Sequence, residues 1–193
     1  MHKRLINKYG EKITIDNVKT KAYFEEVAKT YYLKKYARFT SFDIEVIHTI
    51  KEVSLDAVLK IRNKDYLVLD SKPVRTSGKI SYSETVLFED DFTNDITIAK
   101  LESSIAGCNI PKTSQNGIIS TKARITTVKP IKTLELSAQG KAPTHIFLLK
   151  YIDGIKANSI VSMGTRKFEI ITIENIDEKN KLLEINTIEV LNV

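Results

Sequence analysis

The sequence of 193 residues contains one cysteine, and this scarcity excludes several kinds of site. A single thiol cannot form an intrachain disulfide, and it cannot build a thiolate zinc site. Cys108 lies in the stretch SSIAGCNIP with no histidine nearby, so we interpret it as a small packing side chain rather than a nucleophile. We therefore expect neither disulfides nor thiol chemistry.

Histidine is also scarce, and the familiar catalytic motifs are missing. The three histidines are His2, His48 and His145, and they form no HExxH or HxH pattern. The seven glycines are scattered, so there is no glycine-rich phosphate loop and no GxSxG nucleophile elbow. The acidic pair Asp90-Asp91 lies in the stretch 88–117, which we interpret as containing the boundary between two domains. We predict no enzyme activity, no metal site and no cofactor.

Long apolar runs are missing as well. No stretch approaches the ~18 residues that cross a bilayer, and no apolar signal region follows the basic pair Lys3-Arg4. We expect neither membrane insertion nor secretion. The formal net charge of +6 is spread along the chain and favours loose association with acidic partners, including nucleic acid. The strongest basic run, Lys34-Lys35 with Arg38, is interpreted as a solvated helix face.

The sequence does contain an internal repeat of strand patterns. When DIEVIHTI (43–50) is placed on HIFLLKYI (145–152), the same shift places DAVLKIRNKDYLVLD on NSIVSMGTRKFEIIT and SETVLF on INTIEV. Chance alignment of two strand-rich segments is the alternative, but an ungapped register over three strands argues against it. The shift matches these apolar residues: Val58 with Ile160, Tyr66 with Phe168, Val68 with Ile170, Val86 with Ile188, and Phe88 with Val190.

Both copies alternate apolar and polar residues with a period of two, which is typical of half-buried strands. Short strands separated by turn residues predict a small barrel or sandwich. The predicted fold is mainly β with one or two helices (α+β), in two small antiparallel β-barrel or sandwich domains in tandem. We assign 1–95 to the first domain, 96–116 to a linker and 117–193 to the second domain.

The helical predictions fall in two segments. KAYFEEVAKTYYLKKYA predicts a helix over about 21–37, with early glutamates and late lysines that suit the helix dipole. Its apolar stripe, including Phe24, Val27 and Tyr31, is interpreted as core. A weaker helical pattern occurs in TIAKLESSIAG (97–107), which ends at a glycine.

The second copy resembles the head-tail joining proteins of tailed bacteriophages, also called head closure, stopper or adaptor proteins. The resemblance begins with the strand ARITTV and extends more faintly to the first copy, where GEKITI would be the opening strand. The chain departs from the family pattern because it has no tryptophan and two copies. The residues that carry the resemblance are Arg124-Ile125, Gly154-Ile155, Ile160-Val161, Arg166-Lys167-Phe168-Glu169-Ile170 and the closing strand from Leu183 to Val190.

The resemblance implies a structural protein of the virion neck, assembled in the host cytoplasm. Such proteins form rings of small β-barrels that connect the portal to the tail and help to retain packaged DNA. The implied partners are a homo-oligomeric ring of six or twelve copies, portal or adaptor proteins, tail proteins, and DNA that passes without sequence-specific binding; no membrane is implied. Six two-barrel chains would present twelve similar barrels, whereas stacked barrels would allow twelve chains.

Two groups of contact residues follow from this interpretation. We expect the loop between the first two strands of the second copy to contact a partner or the channel. A neighbouring subunit is expected to pair with the exposed edge of KISYSETVLF or LLEINTIEVLNV. The loop residues are Lys132, Glu135, Gln139, Gly140, Lys141, Pro143 and His145, and the edge residues are Lys79, Tyr82, Val190, Leu191 and Val193.

Three alternatives remain open from the sequence. A tandem OB-like module would bind single-stranded nucleic acid by stacking bases on exposed aromatic side chains. A tail-terminator or tail-completion protein would use related barrels at the end of the tail. A small enzyme would carry a site that the sequence motifs do not display.

Overall fold

The computed structural model describes residues 2–36, 39–40, 43–76, 79–99, 117–128, 142–157 and 159–190. The chain divides into two compact units, Met1–Asp91 and Phe92–Val193. Each unit contains a closed barrel of six antiparallel strands. Two antiparallel barrels in tandem confirm the predicted fold class.

The first barrel has the strand order β1-β2-β3-β6-β5-β4, with β4 returning to pair with β1. Helix α1 packs on the outside of β2, β3 and β6, and α2 packs against β3. The elements are α1 (His2–Tyr9), β1 (Glu11–Ile15), β2 (Val18–Phe24), α2 (Glu26–Lys35), β3 (Ile44–Thr49), β4 (Leu59–Ile61), β5 (Lys64–Thr76) and β6 (Lys79–Glu89).

The second barrel repeats this topology with the order β7-β8-β9-β12-β11-β10. Counted from its own first strand, each strand occupies the same place as in the first barrel. The elements are β7 (Asn94–Ala99), β8 (Ile118–Thr127), β9 (His145–Lys150), β10 (Ile160–Met163), β11 (Arg166–Asn175), a 3₁₀ helix (Ile176–Glu178) and β12 (Leu182–Val190).

Two-residue turns join several neighbouring strands. Asp16 and Asn17 connect β1 to β2, and Arg62 and Asn63 connect β4 to β5; all four have positive φ. Such turns match the right-handed twist of the strands that they join, and Asp and Asn tolerate this conformation well. Gly164, with φ of +59°, takes the position of Arg62 in the β10–β11 turn.

Equivalent strands pair with the same register in the two barrels. A register shift in β5 between Val68 and Asp70 recurs in β11 between Ile170 and Thr172. Because strand registers set the stagger of a barrel, the two barrels have the same geometry. Going round from β1, each cross-strand pair of the first barrel has an equivalent pair in the second. Ile15–Leu59 is equivalent to Ile98–Val161, Leu59–Tyr66 to Val161–Phe168, Tyr66–Glu89 to Phe168–Glu189, Ser83–Thr49 to Leu183–Leu149, Thr49–Ala22 to Leu149–Ala123, and Ala22–Glu11 to Ala123–Asn94.

The single shift found in the sequence holds for only part of each copy. It correctly matches Tyr66 with Phe168 in β5 and β11. In β6 and β12, however, the ladders match Phe88 with Ile188 and not with Val190. The reason is that the β5–β6 hairpin runs beyond the barrel to Thr76 and Lys79, so this arm is longer in the first copy.

Each barrel encloses its own apolar core. In the first barrel the β3–β4 connection contributes Val53 and Ala57, which close one end. In the second barrel the equivalent connection packs Tyr151, Ile152 and Ile155 against the core. The two buried clusters are Ile13, Ala22, Ile47, Val53, Ala57, Leu59, Ile61, Tyr66, Val68 and Leu87 in the first barrel, and Ile96, Ile98, Ala123, Phe147, Leu149, Val161, Phe168, Ile170, Leu183 and Ile185 in the second.

The predicted domain boundary and opening strands differ from those observed. Strand β7 pairs with β8 and β10, so residues 94–99 belong to the second barrel rather than to the first domain and linker. The strand GEKITI (β1) is equivalent to β7, whereas ARITTV lies in β8 and is equivalent to β2. DITIA alternates with a period of two and lies in β7, whereas the predicted helix over TIAKLESSIAG shares residues 97–99 with this strand. Residues 100–107 of that predicted helix lie outside the described part.

The helices also differ from the prediction. Residues 21–24 belong to β2, and the aromatic helix α2 begins at Glu26. It buries Lys29 and Tyr32, whereas Val27 and Tyr31 of the expected core stripe are 79% and 63% exposed. The sequence prediction did not include α1. None of the helices in the described residues is long and apolar enough to cross a membrane.

Neighbouring positions at the start of β4 test the barrel register. Leu59 is fully buried in the first core, whereas Val58, which the sequence repeat matched with Ile160, is 64% exposed. We expect Leu59→Ala to lower the free energy of unfolding by about 2–5 kcal/mol because it leaves a cavity. Val58→Ala should change it by less than about 0.5 kcal/mol. Urea unfolding followed by circular dichroism measures both, and equal losses would contradict the register.

Candidate functional site

The end of each barrel opposite the β3–β4 connection, here called the mouth, carries the predicted contact loop. In the first barrel, α2 lies in the β2–β3 connection at this end. The predicted loop lies in the equivalent β8–β9 connection of the second barrel. Of its residues, Pro143 and His145 are described and both are buried. Lys132, Glu135, Gln139, Gly140 and Lys141 lie outside the described residues.

In the first mouth, ion pairs surround a buried phenol. Lys64 Nζ lies 2.7 Å from the Glu89 carboxylate, and Lys29 Nζ of α2 lies 3.1 Å from Glu45. Burial, with a smaller contribution from Glu89, raises the pKa of Tyr66. A cavity of about 560 Å³ separates α2 from this rim. Its lining is charged, and its lysines and carboxylates are largely paired with one another.

In the second mouth, Arg166 connects a carboxylate to a histidine. Its guanidinium donates to both Glu189 oxygens, at 2.6 and 2.8 Å, and Nη2 lies 3.1 Å from His145 Nε2. A guanidinium only donates, so His145 Nε2 accepts and the imidazole is neutral. The proton is then on Nδ1, which donates to Thr144 Oγ1 at 2.9 Å. Burial, and then the positive charge of Arg166, lower the pKa of His145.

The same arrangement underlies both mouths. By barrel register, Lys64 and Arg166 are equivalent, and so are Glu89 and Glu189. Each ion pair covers an equivalent interior aromatic ring, the phenol of Tyr66 or, 4.9 Å from the Arg166 guanidinium, the ring of Phe168. The position that holds Glu45 in the first mouth holds His145 in the second. These paired groups hold the rim in place.

A second polar cluster, which sequence reasoning missed, fastens the helices to the first barrel. His48 and Glu84 are cross-strand partners on the outer face, with Nε2 3.3 Å from the Glu84 carboxylate. Tyr32 of α2 donates to the other Glu84 oxygen at 2.7 Å, and His2 of α1 stacks on Tyr82 at 4.2 Å. Burial lowers the pKa of His48 despite the opposing effect of Glu84. Finding this cluster requires the β3–β6 register, which the sequence alone does not supply.

The expected strand edges are largely closed. Strand β6 pairs with β3 and β5, and β12 pairs with β9 and β11, so neither strand is free along the barrel. The predicted edge residues that are described, Lys79, Tyr82 and Val190, lie beyond these doubly paired portions. Lys79 is exposed at the hairpin arm, Tyr82 contacts His2, and Val190 is 41% exposed at the end of β12. Leu191 and Val193 lie outside the described residues.

The second mouth gives a prediction for the titration of His145. Arg166→Gln removes the guanidinium that lowers its pKa, so the pKa of His145 should rise toward the usual value of about 6.5. Chemical shifts of the imidazole across a pH series measure this. Lys167→Gln, a neighbouring change of the same charge at an exposed position, is the control. An unchanged pKa in Arg166→Gln would contradict the contact.

No group of three or more His, Cys, Asp or Glu side chains in the described ranges is placed to hold a metal ion. No protein-family model and no curated protein matches the chain. What the protein does must therefore be inferred from its paired barrels and their surfaces.

Proposed function

We propose that the chain is a structural protein in the neck of a tailed bacteriophage, where it joins the portal of the capsid to the tail. The observation that supports this best is the presence of two barrels with the same strand order and register in one chain. Two equivalent modules suit a repeating assembly, because each can occupy an equivalent position in a ring. Together with the strand patterns that resemble head-tail joining proteins, the duplication favours assembly over catalysis.

Barrel closure determines how such a ring is held together. Closed barrels offer few free strand edges, so contacts between subunits use outer faces, helices and connections rather than strand addition. Helix α2 presents Val27 and Tyr31 outward, and these apolar side chains suit a neighbouring subunit. Head-to-tail contacts of this kind close a ring when the rotation between subunits allows it.

The mouths supply the connections to the portal and the tail. The predicted contact loop ends at His145, which Arg166 and Glu189 hold at the rim. Buried and paired groups thus hold the described end of this loop in place. Lys132 and Lys141 of this loop are the residues that contact the adjoining ring or the channel.

Six chains per ring are expected, because six two-barrel chains present twelve barrels to a twelve-fold portal. Mass photometry of the purified chain mixed with the portal ring should show an added mass of six times 21.9 kDa. Lys132→Glu with Lys141→Glu should weaken this association, whereas Lys150→Glu with Lys156→Glu, the same charge change at the opposite end of the second barrel, should not. An addition of twelve chains would refute the six-chain arrangement, and a chain that stays monomeric with portal and tail proteins would refute the neck role.

Among the alternatives, an OB-like module fits the barrels poorly, because an OB-fold has five strands and each barrel here has six. A tail-terminator role belongs to the same structural class, and binding to tail tubes rather than to portals would distinguish it. A hidden enzyme has no specific observation in its favour.

A further inference from the structure

A shallow groove of about 600 Å³ crosses the outer wall of the first barrel over β2, β1 and β4. Its outward positions form two short rows across these strands. Lys19, Thr14 and Lys60 are cross-strand neighbours in one row, and Lys21 and Lys12 are neighbours in the other. Arg62, just beyond β4, also lines the groove. We call these residues the basic groove; five of the six are cationic.

Internal partners neutralise only the β4 side of the groove. Arg62 donates to the Glu11 carboxylate, with Nε at 3.0 Å, and Lys60 Nζ lies 3.4 Å from Asp65. Both pairs are exposed, so they contribute little to stability.

The lysines on β1 and β2 have no such partners. Lys21 Nζ donates to the carbonyl oxygen of Asn7 at 2.8 Å, at the end of α1. Among the described residues, no carboxylate lies within ion-pair distance of Lys12, Lys19 or Lys21. Lys12 directly faces Lys21 across the ladder, and like charges in this position are destabilising. The groove thus keeps an unfavourable concentration of positive charge.

The second barrel shows that the fold does not need this charge. An equivalent groove lies over β8, β7 and β10, at the same register positions. There Asp95 replaces Lys12 and faces Lys122 at 3.9 Å, so opposite charges meet where like charges meet in the first barrel. The positions of Lys19, Lys60 and Arg62 are occupied by Ser120, Ser162 and Gly164.

A repeating anion fits the basic groove best. Outward residues on one strand are ~6.6 Å apart and neighbouring strands are ~4.8 Å apart, so the cations spread over an open surface instead of converging on one point. A single phosphate would contact only part of this surface, whereas a chain of phosphates can follow it. None of the described residues that line the groove is aromatic, so these residues can contact a sugar-phosphate backbone but cannot stack bases.

We propose that the basic groove binds the sugar-phosphate backbone of nucleic acid, with no preference for base sequence or for one strand over two. Lysine suits this role, because its ammonium group is a point charge on a flexible stem. Such binding would occur whether or not the chain assembles into a ring.

The test uses the full chain and three sets of substitutions. Lys12→Gln, Lys19→Gln and Lys60→Gln remove charge from the groove while leaving Lys21, which contacts α1, in place. The control, Lys122→Gln, Lys156→Gln and Lys167→Gln, removes the same charge from the second barrel, so both variants fall from a formal charge of +6 to +3. A transplant variant, Asp95→Lys, Ser120→Lys and Ser162→Lys, builds the charged array on the second barrel. Thermal melts confirm that each variant is folded.

Fluorescence anisotropy with a labelled DNA duplex and a labelled single strand is measured over a salt series. The unmodified chain should bind both probes, with affinity that falls steeply as salt rises. The groove variant should lose slope in log K against log salt by ~0.9 per duplex phosphate contact removed. The control should keep most of its slope, and the transplant should gain slope.

Three results would overturn the proposal. The groove and control variants could lose affinity equally, which would reduce the effect to net charge. The unmodified chain could fail to bind either probe at low salt. Polyglutamate could compete as well as duplex DNA does, which would assign the groove to an acidic protein partner.

Discussion

Closure of each barrel by its last ladder is the constraint on which the rest of the structure depends. In the first barrel β4 returns to β1, with Leu59 opposite Ile15, and in the second Val161 lies opposite Ile98. Closure pairs the strand backbones within one module and leaves few edges for another chain. It is possible only when the six registers are mutually consistent, which explains why both barrels carry a register shift at the same point. Interactions with other molecules are thereby transferred to side chains on the walls and at the mouths.

Comparing the two barrels separates residues that serve the fold from residues that are free to change. Ala22 and Ala123 occupy the same interior position, and both are fully buried. Both mouths also have an ion pair at the same position, Lys64–Glu89 or Arg166–Glu189, beside an interior aromatic ring. The position of Glu45 in the first barrel is held by His145 in the second: Lys29 of α2 meets Glu45, whereas Arg166 meets His145. Differences therefore concentrate where each barrel meets something outside itself.

The sequence predicted the repeat and the two β modules because alternation places Val68 and Ile170 on the interior face of equivalent strands. It could not place Phe88 opposite its true counterpart, because a hairpin arm that leaves the barrel has the same alternation as one inside it. The burial of His48 against Glu84 was equally hidden, since it needs the β3–β6 register and the positions of two helices. At the predicted site, the burial of His145 and its contact with Arg166 could not be predicted from the local sequence pattern, because they depend on how β9 and β11 lie in the barrel.

Folding also brings together charged side chains that are separated in the sequence. In the linear sequence, KITIDNVKTK alternates lysine with apolar or small residues, as any half-exposed hairpin does. A β-hairpin directs alternate residues to one face, so Lys12, Lys19 and Lys21 meet on the outside while Ile13 and Ala22 enter the core. The second barrel satisfies the same interior requirement with Ile96 and Ala123 and places Asp95 and Ser120 outside. The two barrels have equivalent interior residues but different residues on their outer walls, so barrel stability does not account for Lys12, Lys19 and Lys21. A contact with a molecule outside the barrel provides a physical reason for these lysines.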